Sequence, residues 1–421
     1  MAEKNLPFSK EQIEKIIENH PTPFHIYDEK AIRENARYLK NAFSWNEGFK
    51  EYFAIKANPN PYLMKILREE GFGIDCSSIA ELELAKRVGM SGDEILLTSN
   101  DTPVEEFQLA KDLGAILNLD DMSHIGFVDK HIGLPDTICM RYNPGDLKQG
   151  NLIIGHPEDA KYGFTHQQII EGYRILKERG VKHFGIHTMV ASNELNPTYF
   201  IETAEILFKL IVEVYEKTGV KIEFADLGGG IGIPYKPEDK PVDLEYVSAG
   251  VKKLYKEIIE DNGLAPLKLF FEMGRAITGP YGYLVTKVRH IKNTYKSFAG
   301  LDACMTNLMR PALYGAYHHI TAVGKEDQPL TEKYDVTGSL CENNDKFAIG
   351  RMLPKLEPND IVVIHDTGAH GYSMGFNYNG KLKSAELLLR ENDEVVEIRR
   401  AETVEDYFTT LNFDGLKNFE V

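Results

Sequence analysis

The chain reads YFAIKAN at Tyr52–Asn58, an apolar, β-prone run that ends in a single lysine, Lys56. A lysine at the end of an apolar strand loses hydration, which favours its neutral amine over the ammonium form. A neutral amine can condense with a carbonyl group, so Lys56 is a candidate covalent anchor. The structural alternative is a strand-terminal lysine whose amino group simply reaches water. The rest of the chain decides between these two interpretations.

Short apolar runs alternate with amphipathic, helix-like segments such as Tyr199–Lys217 through the first part of the chain. Eight strand–helix units in succession predict a (β/α)8 barrel, and an open, doubly wound sheet is the alternative. The eight runs are Tyr52–Lys56, Gly73–Cys76, Ile95–Thr98, Ile116–Leu119, Thr137–Tyr142, His183–His187, Glu223–Leu227 and Lys268–Glu272.

After Gly282 the pattern changes to strands separated by turns, which predicts a mostly β domain. The short run Phe24–Tyr27 precedes the barrel and is a candidate strand of the same domain. We therefore predict a barrel over residues 36–282 and a β domain formed by residues 1–35 plus 283–421. The predicted strands after the barrel are Tyr283–Ile291, Ser297–Leu301, Ile361–Asp366 and Val395–Arg400.

Composition limits the partners and the compartment. The chain has 421 residues, and its formal net charge of −16 argues against nucleic acid or an anionic membrane as a partner. No run approaches the roughly 20 apolar residues of a membrane span, and Met1–Asn5 does not begin a signal peptide. The four cysteines are scattered without a C-x-x-C pair, so no metal or redox motif is predicted. We expect a cytoplasmic protein.

Polar residues and glycines close most of the predicted barrel strands. Lys56, Asp75, His187, Gly228–Gly230 and Glu272 all lie at or just after a strand end. Barrels of this kind carry their active sites at the mouth where the strands end. A purely structural barrel would not need polar groups at so many of these positions. The pattern therefore predicts a site at one mouth of the barrel.

Two of these strand ends carry groups that suit a ligand with a phosphate and a pyridine ring. Glycines let backbone N–H groups approach a phosphate closely, although Gly228–Gly230 could also be only a flexible turn. Glu272 could pair with a protonated pyridine nitrogen, or form a structural salt bridge with Arg275. Together with Lys56, these groups are what pyridoxal 5′-phosphate (PLP) requires.

The predicted β domain contains two further clusters. Arg310 and Tyr314 stand four residues apart, which suits a grip on a carboxylate. Cys341 and Glu342 are adjacent in a predicted turn, where the thiol could donate a proton and the carboxylate could receive an ammonium group. The structural alternative for Cys341 is a small core residue.

With these motifs the chain resembles the fold-type III PLP-dependent decarboxylases, which are the group IV decarboxylases and have an alanine racemase-like fold. It resembles the diaminopimelate decarboxylase branch most of all. The resemblance runs from Tyr52 to about Glu386. The matching motifs are the lysine segment Phe53–Asn58, the Gly-x-Asp-x-x-Ser segment Gly73–Ser78, the glycine triplet, and Glu272–Arg275 with Met273 in place of proline. Two positions depart from the family pattern: Met189 replaces a histidine that stacks on the cofactor, and His370 replaces a tyrosine near the phosphate.

The resemblance implies a role for each matched residue. Lys56 and Cys341 would be catalytic, and Arg275, Arg310, Tyr314, Glu342 and Tyr372 would bind substrate. The cofactor site would comprise Lys56, Asp75, Met189, Ser192, Gly228, Gly229, Gly230, Glu272, Gly274, Arg275, His370 and Tyr372.

The resemblance also implies a reaction and an assembly. The expected reaction is decarboxylation of meso-2,6-diaminopimelate to L-lysine, by a homodimer in which Cys341 and Glu342 reach the partner's barrel. Alternatives are a decarboxylase for ornithine, lysine or a carrier-linked glutamate, a racemase of the same barrel type, and a non-catalytic homologue.

Overall fold

The computed structural model describes residues 4–148 and 155–419. Its strands, in chain order, are β1 (Phe24–Asp28), β2 (Lys50–Ala54), β3 (Gly73–Cys76), β4 (Ile95–Thr98), β5 (Ile116–Leu119), β6 (Thr137–Arg141), β7 (His183–His187), β8 (Ile222–Asp226), β9 (Lys268–Phe271), β10 (Gly282–Asn293), β11 (Ser297–Leu301), β12 (Ile320–Ala322), β13 (Glu332–Thr337), β14 (Lys346–Leu353), β15 (Ile361–Ile364), β16 (Ala385–Leu389) and β17 (Val395–Arg399).

The helices alternate with the strands through the first part of the chain. They are α1 (Lys10–Asn19), α2 (Glu29–Ala42), α3 (Pro61–Glu69), α4 (Ile79–Val88), α5 (Val104–Asp112), α6 (Met122–Ile132), α7 (His166–Glu178), α8 (Pro197–Thr218), α9 (Leu244–Leu254), α10 (Arg275–Thr278), α11 (Arg310–Tyr314), α12 (Val404–Phe408) and α13 (Phe413–Leu416).

Strands β2 to β9 form a closed barrel in which every neighbouring pair is parallel. Pairing of β2 with β9 closes the sheet, so the predicted barrel is confirmed and the open-sheet alternative is wrong. Strands with few polar residues are expected here because both faces of a parallel sheet are covered. Each predicted run corresponds to a strand whose ends differ by at most two residues.

Aromatic packing inside the barrel depends on one small residue. The rings of Phe224 and Phe270 stack with their centres 4.9 Å apart, within a buried cluster that includes Tyr52. A Cβ atom at Gly185 on β7 would lie 2.0 Å from the Phe224 ring. Only glycine therefore fits at this position without displacing the aromatic core.

The chain divides into two compact units. Among the described residues, one contains Ala31–Pro234 and Glu238–Gly279, and the other contains residues 4–30, Tyr235–Pro237 and residues 280–419. The second unit has a nine-stranded sheet in which seven strands follow the order β14-β13-β11-β10-β1-β16-β17, so that β1 lies between β10 and β16. The other two strands are β15, which pairs with β10, and β12, which pairs with β15. The candidate strand Phe24–Tyr27 does join this sheet, and the predicted mostly β character is confirmed. Strands β12, β13, β14 and β16 were not predicted.

In the part of the chain that the structure describes, no helix has the length and apolar character needed to span a membrane.

Candidate active site

Lys56 does not lie on a strand. Strand β2 ends at Ala54, and Lys56 occupies the middle of a 3-10 turn formed by Ile55–Ala57. The turn buries its two apolar residues and leaves the Lys56 side chain exposed, so the predicted loss of hydration is wrong for this structure. The Lys56 charge nevertheless influences the pKa of Asp75, Glu81 and Glu272, so its amine faces the buried carboxyl groups of the barrel.

Four buried carboxyl groups meet inside the barrel unit, and their pKa values are shifted in opposite directions. Burial raises the pKa of Asp75, Asp226 and Glu51 well above the usual range, and mutual repulsion among these groups and Glu272 adds to that rise. Burial acts in the same direction on Glu272, but the nearby His187, Lys56 and Arg141 outweigh it and hold its pKa at about 2. Glu272 is therefore ionised at neutral pH.

Glu272 is contacted by two polar side chains from other barrel strands, and a third side chain connects these two. The Thr98 hydroxyl donates to Oε1 of Glu272 at 3.0 Å, and Nε2 of His187 lies 3.2 Å from Oε2 without the alignment of a hydrogen bond. The amide nitrogen of Asn118 lies 2.8 Å from Nδ1 of His187 and 3.3 Å from the Thr98 hydroxyl. Asn118 therefore connects both neighbours of the carboxylate.

Neither Thr98 nor Asn118 was selected from the sequence, and Asp226 was missed as well. One feature of the sequence could have identified these residues, since each is a polar side chain on a short apolar strand. Such a side chain is costly to bury unless it has a partner. His187 was noted at its strand end without a role, and the structure places it fully buried beside Glu272.

The glycine triplet after β8 is required by close packing of backbone. Cβ atoms at Gly228, Gly229 and Gly230 would each lie 2.3 Å from a carbonyl oxygen of a neighbouring loop. Gly228 and Gly230 also have φ values of 68° and 93°, which strain any residue with a side chain. The Gly228 N–H donates to Asp226, and the Gly229 N–H lies 3.2 Å from the Met189 sulfur. Phosphate binding by the triplet stays a prediction.

Four other predicted cofactor residues of the barrel unit lie in the segments that follow β7 and β9. Gly274 is buried, and its Cβ position would lie 2.6 Å from the Ala57 side chain, next to the Lys56 turn. Arg275 begins the short helix α10 and is half-buried. Met189 and Ser192 lie in the loop after β7 and are also half-buried. The sulfur of Met189 is thus held by the glycine loop at the position where the family pattern has histidine.

In the second unit, Arg310 and Tyr314 lie at opposite ends of the five-residue helix α11. Arg310 is buried, with its guanidinium carbon 4.7 Å from the ring centre of Tyr235, whereas Tyr314 is 65% exposed. The predicted joint grip on a carboxylate stays a prediction.

Cys341 and Glu342 lie in the turn between β13 and β14, where Cys341 is exposed and Glu342 is half-buried. The Cys341 N–H donates to the side chain of Asn379 at 3.1 Å, and Glu342 accepts from the N–H of Asn344 at 3.1 Å. Exposure of Cys341 contradicts its interpretation as a core residue. The turn therefore presents a thiol and a carboxylate side by side to solvent.

His370 and Tyr372 follow β15 in a loop of unusual backbone. His370 has a φ of 55° and is half-buried. Tyr372 is buried, with the Lys383 ammonium 3.9 Å and the Arg399 guanidinium 4.8 Å from its ring centre. Two cations against one ring hold Tyr372 firmly within the second unit.

Comparison with known proteins assigns the family. The family described as pyridoxal-dependent decarboxylase, pyridoxal binding domain, matches residues 29–279. The chain is 41% identical over 407 residues to a protein named TabA of Pseudomonas amygdali pv. tabaci, covering 97% of this chain and 95% of that one. It is 38% identical over 401 residues to the diaminopimelate decarboxylase of Methanothermobacter thermautotrophicus, covering 94% and 93%.

Solved structures agree with this assignment. The diaminopimelate decarboxylase of M. jannaschi superposes with a TM-score of 0.88 at 28% identity, covering 94% of each chain. That of Helicobacter pylori, complexed with L-lysine, gives a TM-score of 0.86 at 27% identity over 97% of this chain and 100% of that one. The predicted fold class, enzyme class and cofactor are confirmed. The chain belongs to the pyridoxal-dependent decarboxylase family.

Proposed function

We propose that this chain decarboxylates meso-2,6-diaminopimelate to L-lysine and carbon dioxide. The observation that carries the proposal is Arg310, a buried guanidinium in the segment where the diaminopimelate branch holds the second carboxylate of its substrate. An arginine presents a planar fork of N–H donors that suits bidentate binding of a carboxylate, so a buried Arg310 in this segment favours a substrate with a distal carboxylate. The relatives named diaminopimelate decarboxylase support the same substrate.

The barrel unit fits PLP on three counts. Lys56 presents an exposed amine beside buried carboxyl groups, which suits covalent attachment of an aldehyde. Glu272 is ionised, which suits a protonated ring nitrogen. The glycine loop has no side chains, which suits a bulky anion. When bound, PLP supplies the electron sink that lets the α-carboxylate leave as carbon dioxide.

The remaining cofactor contacts are proposals at residue level. Glu272 would hold the proton of the ring nitrogen, and Asp75 would face the Lys56 amine. Met189 would lie against the ring face through its polarisable sulfur. The phosphate and the rest of the cofactor would be held by Ser192, Gly228, Gly229, Gly230, Gly274, Arg275, His370 and Tyr372.

The substrate contacts are proposed on the same basis. Arg275, Arg310 and Tyr314 would bind the distal carboxylate, with Tyr372 nearby, and Glu342 would bind the distal ammonium group. The exposed thiol of Cys341 would donate a proton to the carbon that loses its carboxylate.

We also propose an assembly and a role for each of the two predicted domains. Exposure of Cys341, next to Glu342, supports a homodimer in which this turn enters the partner's barrel. Residues 36–282 would bind the cofactor, and residues 1–35 plus 283–421 would supply substrate contacts and the dimer interface. Residues 1–3, 149–154 and 420–421 of these ranges lie outside the described part of the chain. We propose a cytoplasmic location.

One observation favours a second candidate, a decarboxylase for another amino acid such as ornithine, lysine or a carrier-linked glutamate. Met189 and His370 both depart from the diaminopimelate pattern, and TabA, a relative of this chain, carries a different name. Met189 would change the ring contact, and His370 would change the phosphate contact, without removing Arg310.

A substrate panel separates the two candidates. The PLP-loaded enzyme is incubated with meso-diaminopimelate, L-lysine, L-ornithine and L-arginine, and carbon dioxide release is measured, with Lys56→Ala as the inactive control. We expect release from meso-diaminopimelate at a kcat/KM at least about a hundredfold above the others, the discrimination that a lost buried ion pair supports. Preferential release from a monocarboxylic amino acid would contradict the proposal.

A further inference from the structure

The guanidinium of Arg310 is held by two aromatic side chains of its own unit. Its carbon lies 4.7 Å from the ring centre of Tyr235, and Nη1 lies 2.9 Å from Nε2 of His318. The rings of Tyr235 and His318 pack edge to face, with centres 5.0 Å apart and planes inclined at 68°. Arg310 is 6% exposed and His318 is fully buried. The ring of Tyr235 and the polar contact with His318 therefore both set the orientation of the guanidinium.

The proton on His318 can be placed without ambiguity. Arginine is only a donor, so Nε2 of His318 must accept from Nη1 of Arg310 and carries no proton. Nδ1 lies 2.8 Å from the backbone carbonyl oxygen of His365, which is only an acceptor, so Nδ1 carries the proton. His318 is therefore the neutral Nδ1–H tautomer, anchored to backbone on one side and to Arg310 on the other.

We propose that His318 is a positioning residue that determines preference for substrates with a distal carboxylate. It orients Arg310 through one of the five guanidinium N–H groups, and the fork is thereby pre-organised for a carboxylate. This inference rests on the proposed function, in which Arg310 binds that carboxylate. A guanidinium without this acceptor would keep its charge but lose its orientation, so affinity for the carboxylate would fall.

The arrangement has a consequence for pH. A proton on Nε2 would place an N–H group of His318 against an N–H group of Arg310, two cations in a buried site, and would break the contact. The other charged or titratable groups next to the pair are Tyr235, Asp366, His365 and Arg351. Lys4 and His319 lie one step further away, against Asp366 and His365. Burial raises the pKa of Asp366 to about 6, against the opposing charges of Lys4 and Arg310, so Asp366 also titrates as the pH falls.

The test compares two ligands that differ by one carboxylate, L-lysine and 1,5-diaminopentane. Inhibition constants of both are measured on the PLP-loaded enzyme and on His318→Phe, which keeps an aromatic ring but has no acceptor. We expect L-lysine to bind about tenfold more weakly to the variant and 1,5-diaminopentane to change by less than about twofold, as for loss of one charge-assisted hydrogen bond. KM for meso-diaminopimelate should rise more than kcat falls.

Two further variants make the outcome specific. His318→Gln offers an amide oxygen to Arg310 and should restore most of the L-lysine affinity. His319→Phe changes the adjacent histidine, whose described contacts do not include Arg310, and should leave both inhibition constants unchanged. Equal weakening of both ligands in His318→Phe would mean a merely structural role and would overturn the proposal, as would unchanged binding of both.

The pH profile keeps the proposal testable if His318→Phe does not fold. In the wild type, the preference for L-lysine over 1,5-diaminopentane should decline toward low pH. In His318→Gln, only the part of this decline that is due to protonation of Asp366 should remain. Identical profiles would contradict the role of His318. Failure of the proposed function is a separate result, because it appears as absence of carbon dioxide release from meso-diaminopimelate by the wild-type enzyme.

The tautomer itself can be measured in the cofactor-free protein. Nitrogen-15 shifts of the ring of His318, assigned among the 13 histidines by comparison with His318→Gln, should show a proton on Nδ1 and none on Nε2 at neutral pH. A proton on Nε2, alone or in addition, would refute the hydrogen-bond scheme.

Discussion

The hydroxyl group of Thr98 should contribute measurably to barrel stability because its acceptor is a buried carboxylate. Thr98→Val removes the donor 3.0 Å from Oε1 of Glu272 and keeps the shape of the side chain. Glu272 is 7% exposed, so water cannot replace the lost donor freely. A hydrogen bond to a charged group contributes about 1.5–3 kcal/mol. We expect the free energy of unfolding to fall by about that amount.

A second threonine provides the control. The Thr188 hydroxyl donates to the backbone carbonyl of Tyr142 at 3.0 Å, so Thr188→Val removes a bond of the same length to a neutral acceptor. The expected loss there is about 0.5–1.5 kcal/mol. Urea unfolding of the cofactor-free protein can be followed by fluorescence of Trp45, the single tryptophan, whose indole N–H donates to Ser248 within the barrel unit.

The pH dependence of the Thr98→Val penalty is the stricter test of whether Glu272 is ionised. The pKa of Glu272 is about 2 in the fold, below the value of about 4.3 for an unfolded glutamate, so its ionised form contributes stability above the unfolded value. That contribution is lost only as the pH falls toward 2. The Thr98→Val penalty should therefore be the same at pH 7 and pH 5. A penalty that shrinks over this interval, or one no larger than that of Thr188→Val, would refute an ionised Glu272.

Three further outcomes are expected. Lys56→Ala should lose both turnover and the visible absorbance of bound PLP, and retained turnover would contradict its role as the anchor. Cys341→Ser should lower kcat by about a hundredfold or more with little change in KM, as for loss of a proton donor, and an unchanged kcat would exclude that role. Gly185→Ala should destabilise the barrel in urea unfolding because the new Cβ would lie 2.0 Å from the Phe224 ring. Gly126→Ala on α6, with no atom within 4 Å of its Cβ position, should instead be neutral or stabilising by up to about 1 kcal/mol, and similar effects at the two glycines would contradict the packing.

Barrel strands are predictable because a buried parallel strand is a continuous apolar run bounded by turns. The missed strands of the second unit do not have this character. Strand β16 reads AELLL, a helix-favouring composition, yet all five residues are buried in the sheet beside β1. Strand β14 contains Gly350 and alternates irregularly between buried and exposed residues. Tertiary contacts override local preference in both cases.

The site was predictable only where a motif marks it. Glu272 and the glycine triplet were found because their chemistry and their position at strand ends coincide. Thr98 and Asn118 act through partners distant in sequence, and no local pattern indicates that these side chains converge. His318 is only eight residues from Arg310, but neither α11 nor β12 contains both residues, so no helical or strand spacing indicates their contact. Lys56 was predicted at the end of an apolar strand, but the chain leaves β2 at Ala54 and turns before it reaches the lysine, so its environment was not predicted.

The most direct test of the proposed reaction is the stoichiometry of products from meso-2,6-diaminopimelate. The PLP-loaded enzyme should release one carbon dioxide for each L-lysine formed, with the distal carboxylate retained in the product. Release of carbon dioxide from this substrate without L-lysine, or no release at all from a protein that binds PLP, would contradict the assignment.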